Sequence, residues 1–333
     1  MKRFQHRLIT CIVLGVAIFL LTTACHQTLN LNNNIAATST GDCRPVKHPM
    51  GETCIPLHPQ RIVAIDILSL SNLIALGIKP AAGWIWSPLS EQIDLPEHLA
   101  SRVSDVALYG YSADQPNLES ILKFNPDLIV SPSGALTPGA YQQLSQIAPT
   151  VFVPWQEISR SWKQNLIETA KVFDKVDVAN QLLDDYYRRV ETLKQNLGNL
   201  QSTLNRRDRP FYAEFIFTRN GLMLAGKNSF SGTILNDLGL LSPQAPEGIL
   251  LPMSEEKLPE IDADALFVGA HLEQGHATLK RLQNSPLWSR VNAVQQNQAH
   301  LVDFFSWYGF EFLSAHAVLD DIEKHLLGTH ELR

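Results

Sequence analysis

The residues with the clearest capacity for chemistry are aromatic, and they come in groups. W-I-W supplies Trp84 and Trp86, L-Y-G-Y supplies Tyr109 and Tyr111, and D-F-F-S-W-Y-G-F supplies Trp307 and Tyr308 beside Phe304 and Phe305. Glycine, serine and proline nearby mark these as loop positions. Flat rings in loops suit a large, partly apolar ligand. The accompanying cation is Arg219 in F-T-R-N-G, whose guanidinium at a strand end can hold a carboxylate or hydroxamate oxygen of a metal chelate. The ligand contacts expected from this pattern are therefore Trp84, Trp86, Tyr109, Tyr111, Arg219, Trp307 and Tyr308. Arg160 reads as a surface residue at a helix start.

Catalytic chemistry leaves no comparable trace. A secreted hydrolase would place its serine in G-x-S-x-G, and G-K-N-S-F-S-G misses that spacing. Carboxylates are not concentrated in any one loop cluster, so no enzyme is expected, with a secreted hydrolase as the weak alternative. No histidine falls between His98 and His271. The first half is thus short of metal ligands, and no protein-held metal or cofactor is expected. His271 and His276 flank L-E-Q-G and read as surface residues.

The N-terminus bears on where the chemistry happens. Lys2, Arg3 and Arg7 precede an apolar run from Leu8 to Leu21, then Thr22, Thr23 and Ala24. That is the pattern of a secretory signal over 1–24. L-T-T-A-C resembles a bacterial lipoprotein box with Cys25 as the lipidated residue, although Leu21 sits four places before the cysteine and Thr22 takes the usual Leu position. Cys11 leaves with the signal and Cys25 takes lipid, so Cys43 and Cys54 remain. An even remainder in an oxidising compartment favours a disulfide; a thiolate site completed by His48 is the weaker alternative. Residues 26–42 read as a flexible tether. Loss of residues 1–24, which hold three basic and no acidic residues, takes the formal net charge from −6 to −9. Such a surface disfavours nucleic acid.

The elements that must position the aromatic loops follow from periodicity. Strands are expected at Arg61–Asp66, Ala81–Trp86, Asp127–Val130 and Thr150–Val153. Helices are expected at Ser69–Leu76, Leu118–Phe124 (broken by Asn125-Pro126) and Tyr141–Ile147. Between Pro154 and Gly198 there is no Gly or Pro. Ser161–Phe173 carries one apolar stripe, D-K-V-D is a weak stop, and Ala179, Leu182, Leu183, Tyr186, Val190, Leu193 and Leu197 form a second stripe. About twenty helical residues span roughly 30 Å, enough to join two lobes. The rhythm then resumes. Strands are expected at Phe211–Phe217, Leu222–Ala225, Ala265–Val268 and His300–Val302. Helices are expected at Ser231–Leu238, Ser254–Leu258 and Phe310–Leu327. The expected fold is α/β: two lobes with mostly parallel sheets joined by a long rigid helix, with a ligand cleft between them. The divisions are a signal (1–24), a lipid-anchored tether and disulfide loop (25–57), an N-terminal lobe (58–160), backbone helices (161–200) and a C-terminal lobe (201–333).

C-R-P-V-K-H-P-M-G-E-T-C-I-P-L-H-P-Q-R-I-V, L-E-S-I-L-K-F-N-P-D-L-I-V and the closing L-x-D-I-E-K-H-L carry a likeness over nearly the whole mature chain. In these segments the chain resembles the ABC-importer substrate-binding proteins for ferric siderophores and cobalamin, the class with a helical backbone between lobes. The resemblance implies a monomeric lipoprotein, periplasmic or on the extracytoplasmic face, lipid-anchored to the membrane. It would deliver a ferric siderophore to an ABC permease, with cobalamin or haem as the alternative cargo. It also implies one permease-docking glutamate on each lobe. N-L-E-S-I matches the first at Glu119; S-E-E-K-L matches the second at Glu256, with Glu255 in reserve. The expected ligand is an anionic or neutral ferric chelate, its iron held by the chelator.

Overall fold

The computed structural model describes residues 43–84, 95–109, 117–132, 137–154, 161–203, 211–219, 221–242 and 245–328. Residues 1–42, including the signal pattern and Cys25, lie outside them. Residues Arg44–Arg333 make up one compact unit. Strands β1 (Cys43–His48) and β2 (Gly51–Pro56) form a two-stranded sheet, and Cys43 is disulfide-bonded to Cys54. The segment expected as a tether and loop is thus a stapled hairpin from Cys43 onward. Thr53 Oγ1 donates to the Thr150 carbonyl at 3.0 Å, and His48 lies against Tyr141 and Phe152. Arg44 pairs with Asp174 at 3.0 Å, so the hairpin reaches the joint between the helices that connect the lobes.

The N-terminal sheet comprises β3 (Ile62–Ala64), β4 (Ala82–Trp84), β5 (Ala107–Tyr109), β6 (Leu128–Pro132) and β7 (Thr150–Val153), in the order β5-β4-β3-β6-β7, all parallel. Its strands are apolar on both faces because helices cover both. Those helices include α1 (Ile67–Ala75), α2 (Leu118–Lys123) and α3 (Pro138–Ser145). Asp66, Asn117 and Thr137 cap them by accepting hydrogen bonds from Ser69, Ser120 and Ala140 N–H. A short turn of helix, Glu97–Ala100, precedes β5. Neither that turn nor β5 was legible in the sequence, since three or four residues carry no period.

The connection is two helices, α4 (Trp162–Val172) and α5 (Val176–Thr203). Asp174 between them adopts a left-handed φ of 53°, the physical content of the weak stop in D-K-V-D. Helix α5 runs longer than its apolar stripe suggested and buries Ala179, Tyr186, Val190, Leu193 and Leu197.

The C-terminal sheet comprises β8 (Ala213–Thr218), β9 (Leu222–Ala225), β10 (Leu250–Met253), β11 (Ala265–Ala270) and β12 (Ala299–Leu301), in the order β10-β9-β8-β11-β12. Strands β8, β11 and β12 run parallel; β9 returns antiparallel to β8, and β10 extends the hairpin. Helix α6 (Phe230–Asp237) and helix α7 (Leu272–Gln283) pack on β8. Helix α7 begins in L-E-Q-G and runs through its glycine without a break. Gly275 is there for proximity: a Cβ would lie 2.3 Å from the Thr218 carbonyl oxygen. Thr218 Oγ1 donates to the Gly275 carbonyl at 2.7 Å.

The final helix, α8, is Phe312–Ile322, shorter than the Phe310–Leu327 expected, with a short helical turn at Phe304–Trp307 before it and a wider turn at Glu323–Leu327 after it. It belongs to neither lobe alone. It packs on α6 in the C-terminal lobe, on α1 and the Glu97–Ala100 turn in the N-terminal lobe, and on α4. One continuous apolar cluster accordingly runs from Leu76 and Leu99 through Trp162, Leu166 and Tyr186 to Phe230, Phe312, Val318 and Leu319. The lobes are joined by a shared core as well as by a helical rod.

Removing the hairpin staple separates its effect from that of the core. Cys43→Ser with Cys54→Ser is expected to lower stability by about 2–3 kcal/mol, the entropic scale for so short a loop. Urea unfolding of the two forms checks this; an unchanged midpoint would contradict it.

Candidate functional site

A cavity of about 330 Å³ lies between the lobes. Its walls come from the carboxyl ends of parallel strands, where such sheets place ligands. Ile67 and Leu68 follow β3, Trp84 ends β4, Arg219 follows β8, His271 follows β11, and Phe304, Phe305 and Tyr308 follow β12.

Three rings form the C-terminal wall. His271 stacks on Phe304 at 4.4 Å, and Phe304 on Tyr308 at 5.0 Å. Phe310 meets Tyr308 edge-on at 5.0 Å. Phe310 and Leu272 hold left-handed φ of 58° and 63°, a strained conformation for side chains with a Cβ. The two strained residues flank this wall on either side. Burial pushes His271 down to about 4, helped by the positive charge of Arg219 and by His276, so its ring is neutral at pH 7. Burial also raises Tyr308 despite the opposing pull of Arg219, leaving a neutral phenol.

The floor is polar and crosses the lobe boundary. Glu311 is fully buried and caps α8, accepting from Leu313 N–H at 2.6 Å and Ser314 N–H at 2.7 Å. It also accepts from Ser71 Oγ in α1 and from Ser314 Oγ. His98 Nε2 lies 3.0 Å from Glu311 Oε1, and His98 Nδ1 lies 3.0 Å from Ser306 Oγ. Burial alone would raise the Glu311 carboxyl, but the bonds from His98, Ser314 and Ser71 outweigh it and hold the pKa below the ordinary value. Asp66, at the mouth of α1, has no such partners for Oδ2 among the described residues. Burial pushes it up to about 6 against the hydrogen bonds from Ser69 and Leu68.

The structure sorts the residues expected from sequence. Trp84, Arg219 and Tyr308 are brought together around the cavity. Trp307 is not: it is 1 % exposed, stacks on Phe267 at 4.3 Å and donates from Nε1 to Asp321 at 2.8 Å. Consecutive residues of a helical turn diverge by about 100°, so Trp307 enters the core against Phe267 while Tyr308 faces the cavity. Tyr109 is also core. It ends β5, packs on Phe124 at 5.5 Å and donates its hydroxyl to the Ala64 carbonyl at 3.3 Å. Trp86 and Tyr111 lie outside the described residues. His271 is buried, against the surface reading, whereas His276 is exposed. Sequence reasoning passed over His98 and Glu311. The one available signal for Glu311 was a lone acid inside F-E-F-L-S, three residues before a serine.

Away from the cleft, Glu119 stands exposed in the first turn of α2. Glu256 is exposed in the short helix Glu255–Glu260, while Glu255 is clamped by Arg281, with Nη1 donating at 2.7 Å. Among the described residues no cluster of His, Cys, Asp or Glu could hold a metal ion, and no helix is long and apolar enough to cross a membrane.

Two α/β lobes meeting over an apolar cleft and joined by helices define the bilobal class of ligand-capture proteins. The chain belongs to the periplasmic binding protein family, whose profile matches residues 92–304. It is 29% identical to the probable siderophore-binding lipoprotein YfiY of Bacillus subtilis, over 92% of this chain and 94% of that one. It is 27% identical to the iron(3+)-hydroxamate-binding protein YxeB of the same organism, over 96% and 97%. Among solved structures it is similar to Staphylococcus aureus SirA complexed with staphyloferrin B. There the TM-score is 0.65 and the identity 25%, covering 85% of this chain and 98% of that one.

Asp66 supplies a test of the site's electrostatics. A folded pKa of about 6 against 3.8 unfolded means that the native state binds the extra proton between those values. The Asp66 contribution to stability therefore falls as pH rises through that window. Asp66→Asn keeps the cap acceptor and removes the charge. Relative to the parent, it is expected to be more stable at pH 7 than at pH 4 by about 1–3 kcal/mol. Thermal melts of both proteins at the two pH values check this, and equal differences would contradict it.

Proposed function

We propose that this chain captures a ferric siderophore outside the cytoplasm and presents it to an ABC permease, tethered to the membrane through lipid on Cys25. The observation that carries the reading is the cleft itself. Trp84 and the His271–Phe304–Tyr308 stack offer flat apolar faces on opposite lobes, with the Arg219 guanidinium beside them. Such a site grips an organic shell. The iron would be coordinated by the chelator, and the protein would read the chelator's outer surface. The siderophore and hydroxamate named for YfiY and YxeB support this cargo.

The role of the protein is capture and orientation. Rings that already stack on one another are pre-organised, so little side-chain entropy is lost when a ligand lands on them. Arg219 would supply a charge-assisted hydrogen bond to a chelate oxygen. The shared core of α1, α4, α5 and α8 limits hinge opening, because separating the lobes would expose it to water. Glu119 and Glu256 would dock on permease cations, one from each lobe, and the pairing of Glu255 with Arg281 favours Glu256 over its neighbour.

Intrinsic tryptophan fluorescence tests the cargo. Ferric siderophore is expected to quench it saturably with no turnover of the ligand, and the absence of saturable binding for every ferric chelate tried would overturn the proposal. Arg219→Ala should weaken binding by about 1.5–3 kcal/mol, the scale for a hydrogen bond to a charged group. The docking roles predict a separation of functions. Glu119→Ala with Glu256→Ala should bind ligand as the parent does yet fail to support iron import in cells. Unimpaired import by the double variant would reject them.

A further inference from the structure

His98 reaches across the lobe boundary to two elements of the facing lobe at once. Its Nδ1 lies 3.0 Å from Ser306 Oγ, in the turn Phe304–Trp307 that carries part of the aromatic wall. Its Nε2 lies 3.0 Å from Glu311 Oε1, at the head of α8. The His98 side chain lines the cavity and is 9 % exposed, and that of Glu311 is 2 % exposed. A neutral imidazole has one donor nitrogen and one acceptor nitrogen, so the partners decide which form the ring takes. Here both partners need a donor. Ser306 has one hydroxyl proton, and that proton is directed to Asp303 Oδ1 at 2.8 Å. What Ser306 Oγ offers the ring is a lone pair, so Nδ1 carries a hydrogen.

On the other side, two backbone N–H groups and the hydroxyls of Ser71 and Ser314 point at the Glu311 carboxyl. A carboxyl that receives so many donors is ionised and can only accept. A bare Nε2 would set lone pair against lone pair, so Nε2 carries a hydrogen as well. Ser314 Oγ, 3.1 Å from Nε2, gives its own proton to Glu311 and can only accept from the ring. We infer that His98 is the positioning residue of the cleft: as an imidazolium it forms a buried ion pair with Glu311 and pins both the aromatic turn and the head of α8 to the N-terminal lobe. A neutral ring could donate to one of these elements but not to both. The inference rests on the reading of this cavity as the ligand site and names what holds its wall in place.

The tests use the mature chain without ligand, so their outcome is separate from the identity of the cargo. The first is the nitrogen spectrum of protein labelled at histidine, recorded at pH 7, with the His98 signals assigned by their loss in His98→Phe. Two protonated ring nitrogens are expected, and an unprotonated nitrogen, which resonates far downfield, would overturn the inference. Glu311→Gln should return one His98 nitrogen to the unprotonated form; two protonated nitrogens in that variant would also overturn it. Positioning is read by amide exchange at Ser306, Trp307 and Tyr308, whose N–H groups are hydrogen-bonded within the turn. In His98→Phe their exchange is expected to rise about tenfold further than that of β7, because the turn opens locally. An equal rise in both places would mark a general loss of stability and overturn the positioning role. Where His98→Phe leaves too little folded protein, the double variant with Glu311→Gln buries no unpaired charge and gives the same readout against Glu311→Gln alone.

Discussion

Glu311 is buried where α8 begins, and it accepts hydrogen bonds from both sides of the boundary between the lobes. A carboxylate in that position is tolerable only while Ser71, His98, Ser314 and the backbone remain in place. The network therefore fixes the start of α8 against α1 and the Glu97–Ala100 turn. The start of α8 follows Tyr308, Gly309 and Phe310, so the same constraint sets one wall of the cleft. Gly309 belongs to it as well: a Cβ there would lie 1.9 Å from the Ser314 hydroxyl. What positions this wall of the cleft and what holds the lobes together are one group of atoms.

The boundary between the lobes is also packed with apolar side chains. The core joining the lobes holds Trp162 edge-on against Tyr186 at 4.9 Å and against Phe230 at 6.1 Å, and Phe312 lies beside it. Lys163 extends from the same helix to Asp237, and Tyr186 donates its hydroxyl to that carboxylate at 2.8 Å. The hairpin stapled by Cys43 and Cys54 reaches the joint from the far side through Arg44 and Asp174. Domain interfaces that are small and polar permit large rotations; this one carries a continuous apolar cluster.

Much of the fold was legible because its signals are local. The parallel sheets followed from short β-branched runs such as Ile62–Ala64, the bridge from a long span without Gly or Pro, and the break in it from D-K-V-D. The disulfide followed from counting cysteines. The losses have physical causes. The helix through Gly275 left no sign, because close packing against Thr218 cannot be seen in one dimension. Tyr109 and Trp307 looked like ligand contacts because aromatic residues near glycine and serine have the same composition whether they face a cleft or a core. His98 and Glu311 lie 213 residues apart and meet only in the folded chain. Long-range polar pairing leaves no periodicity to read.

We propose that iron enters this protein wrapped in a chelator and rests between Trp84, Arg219 and Tyr308. The most direct measurement is iron anomalous scattering from crystals of the protein grown with a ferric hydroxamate. One iron peak is expected inside the cleft, with all coordination supplied by the chelator and the chelator's outer face against the His271–Phe304–Tyr308 stack. A peak elsewhere on the molecule, or iron ligated by protein side chains, would contradict it.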